Sequence, residues 1–506
     1  MKLILFFLLL PALQPALAQL NPVGIFDNHT DIGNPQNAGT TLYNNTTQAY
    51  QLSGAGYNIW FERDELQFAY KKITGDFILT ANFAFAGKGT DPHRKIGWMV
   101  RESLAANAAH MSAVLHGDGL TVLQWRALRG AFMRDPEDEI FASKKNYQVL
   151  QLERKGKRMI LRAAQVNEPL QLIGIHEMPD MPDAVFAGLF ICSHNPVVTE
   201  KANIWNVRID KPVAENYNPY SQGWIGSRLE TMTIANGERK VIYESKTGFE
   251  APNWFPDGKK LLFNQAGSLY SIPADGGTPE KLNTGDAAKL NNDHGISFDR
   301  KKIAISHQRP GLPGNGSTVY VLPIEGGVPK LITEKTPSYF HGFTADSKEV
   351  LYAAQRDSAV YNIFKSSIDK PKEIQLTFNS SGHTDGPEAS PDGKYIYFNG
   401  SQTGTMHIYR MKPDGSSKEQ LTFDEYNNWF PHISPDGRWM VFISFLPDTD
   451  PNDHPPYKRV MLRLMPVAGG APKVIAYLYG GQGTLNVASW SPDSRQIAFV
   501  SNAEKF

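Results

Sequence analysis

The sequence predicts an all-β chain: a β-sandwich in the first half, then a six-bladed β-propeller closed by its own first strands pairing with the last blade. Three observations carry this. Residues 20–210 hold eight strand-like runs, bounded by Gly, Pro, Asn or charged turns and without helical periodicity. The second half repeats a turn Asp at Asp257, Asp299, Asp346, Asp392, Asp436 and Asp493, spaced 42, 47, 46, 44 and 57 residues apart. Two spare strands precede the first of these turns, and one strand follows the last.

At 506 residues the chain is too long for one ordinary core, so two or three domains are expected. Its 51 basic and 51 acidic side chains cancel, which leaves no global field favouring nucleic acid or an acidic membrane surface. Residues 1–18 read as a secretory signal: Lys2, an apolar run from Leu3 to Leu10, and the small-x-small motif Ala16-Leu17-Ala18 before Gln19. No Cys follows that site to carry a lipid, and no second apolar run reaches the ~20 residues of a membrane span. A soluble product, secreted or periplasmic, is expected. Cys192 is the only cysteine, so there is no internal disulfide and no multi-Cys zinc site.

The sandwich is expected over residues 19–210. Its runs include "FILTANFAF", "KIGWMVRES", "LTVLQWRA" and "ANIWNVRI". "HGDG" at His116–Gly119 reads as a hairpin turn. Trp125 and Arg126 read either as sugar contacts or as a core Trp beside an exposed Arg. Through "GDFILTANF", "IGWMVRES", "GLTVLQWR" and "IWNVRI" this half resembles the concanavalin-like, laminin G-like jelly rolls, which implies sugar binding or support of a neighbouring domain. Residues 211–223, polar and holding Pro212 and Pro219, read as a linker.

The propeller is expected over residues 224–506. Each turn Asp is followed by a strand, such as "KKLLFNQ", "KYIYFNG" or "RWMVFISF". Most blades continue through a second strand to a small-Gly turn, as in "TVYVLPIEGGVPKLI". The "SPDG" turns and six blades resemble the TolB-like β-propellers. That resemblance implies a fold used for binding platforms, peptidase gates and carbohydrate lyases. No G-x-S-x-G elbow is present, which argues against a serine peptidase. "GGQGT" at Gly480–Thr484 has no following helix to cradle phosphate.

Residues four to nine before each turn Asp should line the central channel. They include Glu250 and Asn253, then Asn292, Asp293 and His294, then His341. Further along they include His383, Asp385 and Glu388, then Asn427, Asn428, Trp429 and His432, then Asn486, with Gln482 just beyond the window on the same blade. Four successive blades therefore place a His near the channel. His294 and His341 share one register, five before the turn Asp; Glu388 and His432 share another, four before it. Imidazoles with a carboxylate or amide oxygen suit a divalent metal, Mn, Zn or Fe; the expected ligands are His294, His341, His383, His432 and Gln482. Glu388, Asp385 and His383 are the expected acid–base groups. Trp429, Asn428, Glu250 and Asn486 are the expected substrate contacts, with Trp429 a sugar-stacking platform. The insertion "DPNDHPPYKR" reads as a rigid loop over one face, a lid carrying His454.

Four channel His and Gln482 are similar in kind to the metal ligands of the oligogalacturonate lyases, but they depart from that family's closely spaced ligand cluster. The leading expectation is an exported enzyme that cleaves an oligosaccharide or polysaccharide, acidic or plant-type, by metal-assisted elimination or acid–base hydrolysis. The alternative is a non-catalytic TolB-like scaffold. That resemblance implies a protein partner at the channel mouth and a part in envelope translocation. A sugar-binding protein without turnover is the third reading.

Overall fold

The structure, a computed structural model, describes residues 22–502; the expected signal peptide lies outside the described residues. Two seven-stranded sheets form the first half. One runs from strand Asn28–Ile32 to strand Glu139–Phe141, the other from strand Gln171–Glu177 to strand Thr40–Asn44. Strand alternation explains their packing. In strand Phe77–Phe85, Phe77, Leu79, Ala81 and Phe83 point into a core shared with Ile96, Trp98 and Val100 of strand Lys95–Arg101.

Strand Lys95–Arg101 is buried at every position, because its other face is also covered. Met99 packs there with Ile59, Phe68, Val114 and Phe190. This second face hides a charged knot. Asp64 accepts from Arg101 at 2.8 Å and from Arg126 at 2.7 and 2.9 Å, all three side chains fully buried. Arg126 is therefore a structural counter-charge, not an exposed residue or a sugar contact. Trp125 belongs to the shared core and stacks on His176 at 3.7 Å.

Residues 211–223 are packed rather than loose. Val213 and Tyr217 join an apolar cluster with Ile78, Tyr457 and Tyr479. The two halves are also riveted by charge. Buried Glu230 of strand Ser227–Thr233 accepts from Arg208 of strand Asn195–Asp210 at 2.6 Å and from Arg239 at 2.9 Å. Arg228 reaches Asp210 at 2.5 Å.

The second half holds five four-stranded antiparallel sheets, starting at strands Glu250–Trp254, Leu290–Ile296, Ser338–Phe343, Thr384–Ala389 and Asn427–Ile433. A sixth sheet joins strand Gln496–Asn502 to Ser227–Thr233 in register from Ser227↔Asn502 to Thr233↔Gln496, with Glu238–Ser245 outside it. This pairing hides backbone groups that an unpaired edge would expose. The recurring turn has a side-chain lock. In "SPDG" the Ser390 hydroxyl donates to Asp392 Oδ1 at 2.7 Å, and Oδ1 also accepts the Lys394 N–H at 3.1 Å. The same lock closes the turns at Asp299, Asp346, Asp436 and Asp493. Among the described residues no helix is long and apolar enough to cross a membrane.

Candidate functional site at the channel mouth

Each of the five inner strands has a β-bulge. Register breaks between Glu250 and Asn253, Leu290 and His294, Phe340 and Gly342, Asp385 and Glu388, and Trp429 and His432. Ala251, Gly386 and Phe430, each six before its turn Asp, take positive φ there (58°, 61° and 53°). A bulge re-aims the side chains on either side of it. Residues seven before the Asp, such as Glu250, Asn292, Tyr339, Asp385 and Asn486, line the wide mouth. Residues from four before the Asp onward line the narrow end beside the turns.

The wide mouth is a cavity of about 730 Å³. Glu250, Asp293 and Asp385 are its carboxylates, His341 and His454 its imidazoles, and Tyr339, Tyr361 and Phe430 part of its aromatic wall. Amides of Asn292, Gln482 and Asn486 complete much of the polar lining. Among the described residues no Lys or Arg lines it. Gly483 is required here: a Cβ at this left-handed position (φ 84°) would meet Glu250 Oε1 at 2.6 Å.

The charged groups form a connected row across neighbouring blades. His341 Nε2 donates to Asp385 Oδ1 at 2.8 Å. Burial works to lower the His341 pKa, but Asp385 outweighs it and the net direction is up. Burial would raise Asp385; His341 holds it below its ordinary value. Burial pushes Asp293 up to about 6; His341 pulls against this and the Asp385 charge adds to it. Asp293 Oδ2 accepts from Asn291 at 2.8 Å. Burial and then the Asp293 charge push Glu250 up to about 7, and its Oε1 has no hydrogen-bond partner.

The sequence-expected residues divide three ways. Glu250, Asp385, His341, Gln482 and Asn486 line the mouth, and His341 also borders the narrow end. Glu388 lines instead the narrow end, a separate cavity of about 320 Å³, and both its oxygens are engaged: by His432 Nδ1 at 2.6 Å and by the Ile433 N–H at 2.8 Å. His432 also donates from Nε2 to the Leu485 carbonyl at 2.9 Å, so neither ring nitrogen is available to a metal. His383 accepts the Tyr361 N–H on Nδ1 at 3.0 Å and braces that loop from outside the mouth.

Asn428 is fully buried, bonded to Ser444 and Arg463. Trp429, 2% exposed, packs against Phe430 and His454 and offers no stacking face. His294, 1% exposed, lines neither end; burial drives its pKa down to about 4. The expected metal ligands thus do not converge, and among the described residues no three His, Cys, Asp or Glu side chains are placed to hold a metal ion. The residues do not fit the expected divalent centre, and no acid–base pair of Glu388 with Asp385 forms, because they face different cavities.

Sequence alignment on the turns missed Tyr361 and Phe430. Tyr361 comes from a connector between outer strands, beyond the window read before each turn Asp. Phe430 is turned into the mouth by its bulge, whereas the sequence favoured its neighbour Trp429. His454 was legible as the lid residue: its insertion carries it into the mouth, 5.2 Å from the Phe430 ring.

Comparison with known proteins bears on this half. The TolB β-propeller domain family matches residues 314–448. An uncharacterized protein of Agrobacterium fabrum is 44% identical over 279 residues, 55% of this chain and 93% of its own length. The structure of a putative TolB from Agrobacterium tumefaciens is 43% identical, with a TM-score of 0.52, over 55% of this chain and 99% of that one. TolB from Acinetobacter baumannii is 14% identical, with a TM-score of 0.39, over 65% of this chain and 79% of that one. Through its propeller half, the chain belongs to the TolB-like β-propeller family.

Proposed function

We propose that the protein is a non-catalytic TolB-like scaffold of the cell envelope, secreted or periplasmic, that receives a segment of a protein partner at the wide mouth of its propeller. One observation carries this reading. The mouth is a large, preformed cavity of carboxylates, amides and aromatic rings with two imidazoles, while the histidines expected to hold a metal do not converge there. The family membership supports the same reading. Cleavage of an acidic glycan is the weaker reading, because its carboxylates would meet those of Glu250, Asp293 and Asp385 with no Lys or Arg in the lining. The domain over 19–210, with its two seven-stranded sheets, suits a concanavalin- or laminin G-like module, tied through 211–223 to the propeller that starts at 224.

The test is photo-crosslinking from position 361 in the exporting host, alongside turnover assays on uronic-acid and neutral oligosaccharides. A discrete protein adduct and no turnover, with or without added Mn, Zn or Fe, are expected. Turnover abolished by Asp385→Asn would overturn the scaffold reading.

A further inference from the structure

We infer that the wide mouth is built to take an organic cation, an ammonium or guanidinium group presented by the partner's chain. The inference deepens the scaffold reading and rests on it for the identity of the carrier.

The first support is a mismatch in pairing. Elsewhere four of the chain's buried acids have a guanidinium partner. Asp64 has Arg101 and Arg126, Glu230 has Arg208 and Arg239, Asp210 has Arg228, and Glu200 has Arg94. Glu250 and Asp293 have no such partner, and no Lys or Arg lines their cavity among the described residues. Buried charge without a counter-charge is costly, and an incoming cation would remove that cost.

The second support is unused hydrogen-bonding capacity. His341 is 7% exposed and lines the cavity; its Nε2 is committed to Asp385, which leaves Nδ1 without a partner. Glu250 Oε1 is likewise sealed and unpartnered. These two unpartnered polar atoms belong to residues that line an acidic cavity, and a polar ligand reaching them would satisfy them.

The third support is the wall. Tyr339 and Tyr361 meet edge to face at 5.9 Å, and Phe430 lies parallel to His341 at 5.7 Å. Burial and the charges of Asp293 and Asp385 raise the Tyr339 pKa, so this ring lies in the field of the same acids. Aromatic faces beside carboxylates hold ammonium and guanidinium groups by cation–π attraction together with charge. The cavity volume admits a whole Lys or Arg side chain with its flanking backbone.

Calorimetric titration of the full chain with capped Gly-Lys-Gly, Gly-Arg-Gly and Gly-Gln-Gly tests this. Lys or Arg peptide is expected to bind about tenfold or more tightly than the Gln peptide, and Asp293→Asn and Glu250→Gln should each remove about tenfold. Melting curves of both variants establish that they are folded. The groups facing the ligand are Glu250, Asp293, His341, Asp385 and His454, so binding should weaken from pH 8 to pH 5.5 as Asp293 and Glu250 take up protons; burial lowers His454, while at His341 burial is outweighed by Asp385, which raises it. Equal binding of the Gln peptide, or no loss in either variant, would overturn the inference. So would calcium chloride alone binding and excluding every peptide. Binding of glucosamine but of neither basic peptide would support the cation site and overturn the protein partner. A protein adduct at position 361 with no preference for basic peptides would do the reverse.

Discussion

Glu250→Gln should stabilise this protein at alkaline pH, and the structure gives the size of the gain. Burial and the Asp293 charge hold the Glu250 carboxyl at about 7 instead of 4.5. The folded value lies above the unfolded one. The stability lent by the protonated form is therefore whole below about pH 4.5 and is lost as pH rises through 7. At ~1.4 kcal/mol for each pH unit between the two values, the ionised carboxylate costs about 3 kcal/mol at pH 8. A Gln of the same shape escapes that cost. For a propeller of this size about 2 °C accompanies each kcal/mol, so the variant should melt about 4–6 °C above the parent at pH 8. At pH 4 the two should melt together. Differential scanning calorimetry across pH 4–8 measures this, following the propeller transition. If the variant melts at or below the parent at pH 8, or if the gap persists at pH 4, the account of an uncompensated buried carboxylate is wrong. Asp293→Asn also relieves Glu250 of a neighbouring charge, so the double variant should gain less than the sum of the singles.

Three further outcomes follow from the same geometry. His432→Ala leaves the Glu388 carboxylate buried without its imidazole and should cost about 3–5 kcal/mol in denaturant unfolding, with peptide binding at the mouth unchanged in the folded fraction. Glu230→Gln strips Arg208 and Arg239 of their shared carboxylate, and should cost about 3–5 kcal/mol and expose the junction of the two halves to limited proteolysis. Chelation with EDTA should leave both the melting temperature and the basic-peptide affinity unchanged, measured by calorimetry on the same sample.

The blades were legible because their signal is local. A Ser or Thr two before an Asp locks a turn by its own hydrogen bonds, and the sequence displays that chemistry five times over at near-constant spacing. The shared register of Glu388 and His432 was equally legible, and the two side chains do meet, at 2.6 Å. Which end of the channel they face was not. Four of the five inner strands hold one extra residue and Leu290–Ile296 holds two, which re-aims what comes before; in "HTDGPEASPD" only Gly386 marks the bulge between Asp385 and Glu388, and a turn count does not register it. Counting back from the turn therefore merged two cavities into one and assembled a metal site from histidines that never share a face. Trp125 is the core residue the sequence offered, but Arg126 is not the exposed one, for another reason. Asp64 lies 62 residues before Arg126, and only the covered outer face of the sheet brings the carboxylate to it.

The two ends of the channel differ in kind, and that difference gives the molecule a direction. At the narrow end Trp254, Phe298, Phe340, Phe343, Ile433 and Trp490 make the lining largely apolar. Its one carboxylate, Glu388, is hydrogen-bonded to His432, whose backbone carbonyl is held in turn by Trp490 Nε1 at 2.9 Å. The acid there has its partner within the chain, and Arg300 also lines that end. At the wide mouth the balance is left open, with Glu250 and Asp293 raised in pKa by burial and by neighbouring negative charge. A ligand carrying positive charge gains nothing at the narrow end and gains the whole uncompensated field at the mouth. Entry from the mouth, with the cation leading toward Asp293 and the apolar stem against Phe430 and Tyr361, is the arrangement that satisfies both ends at once.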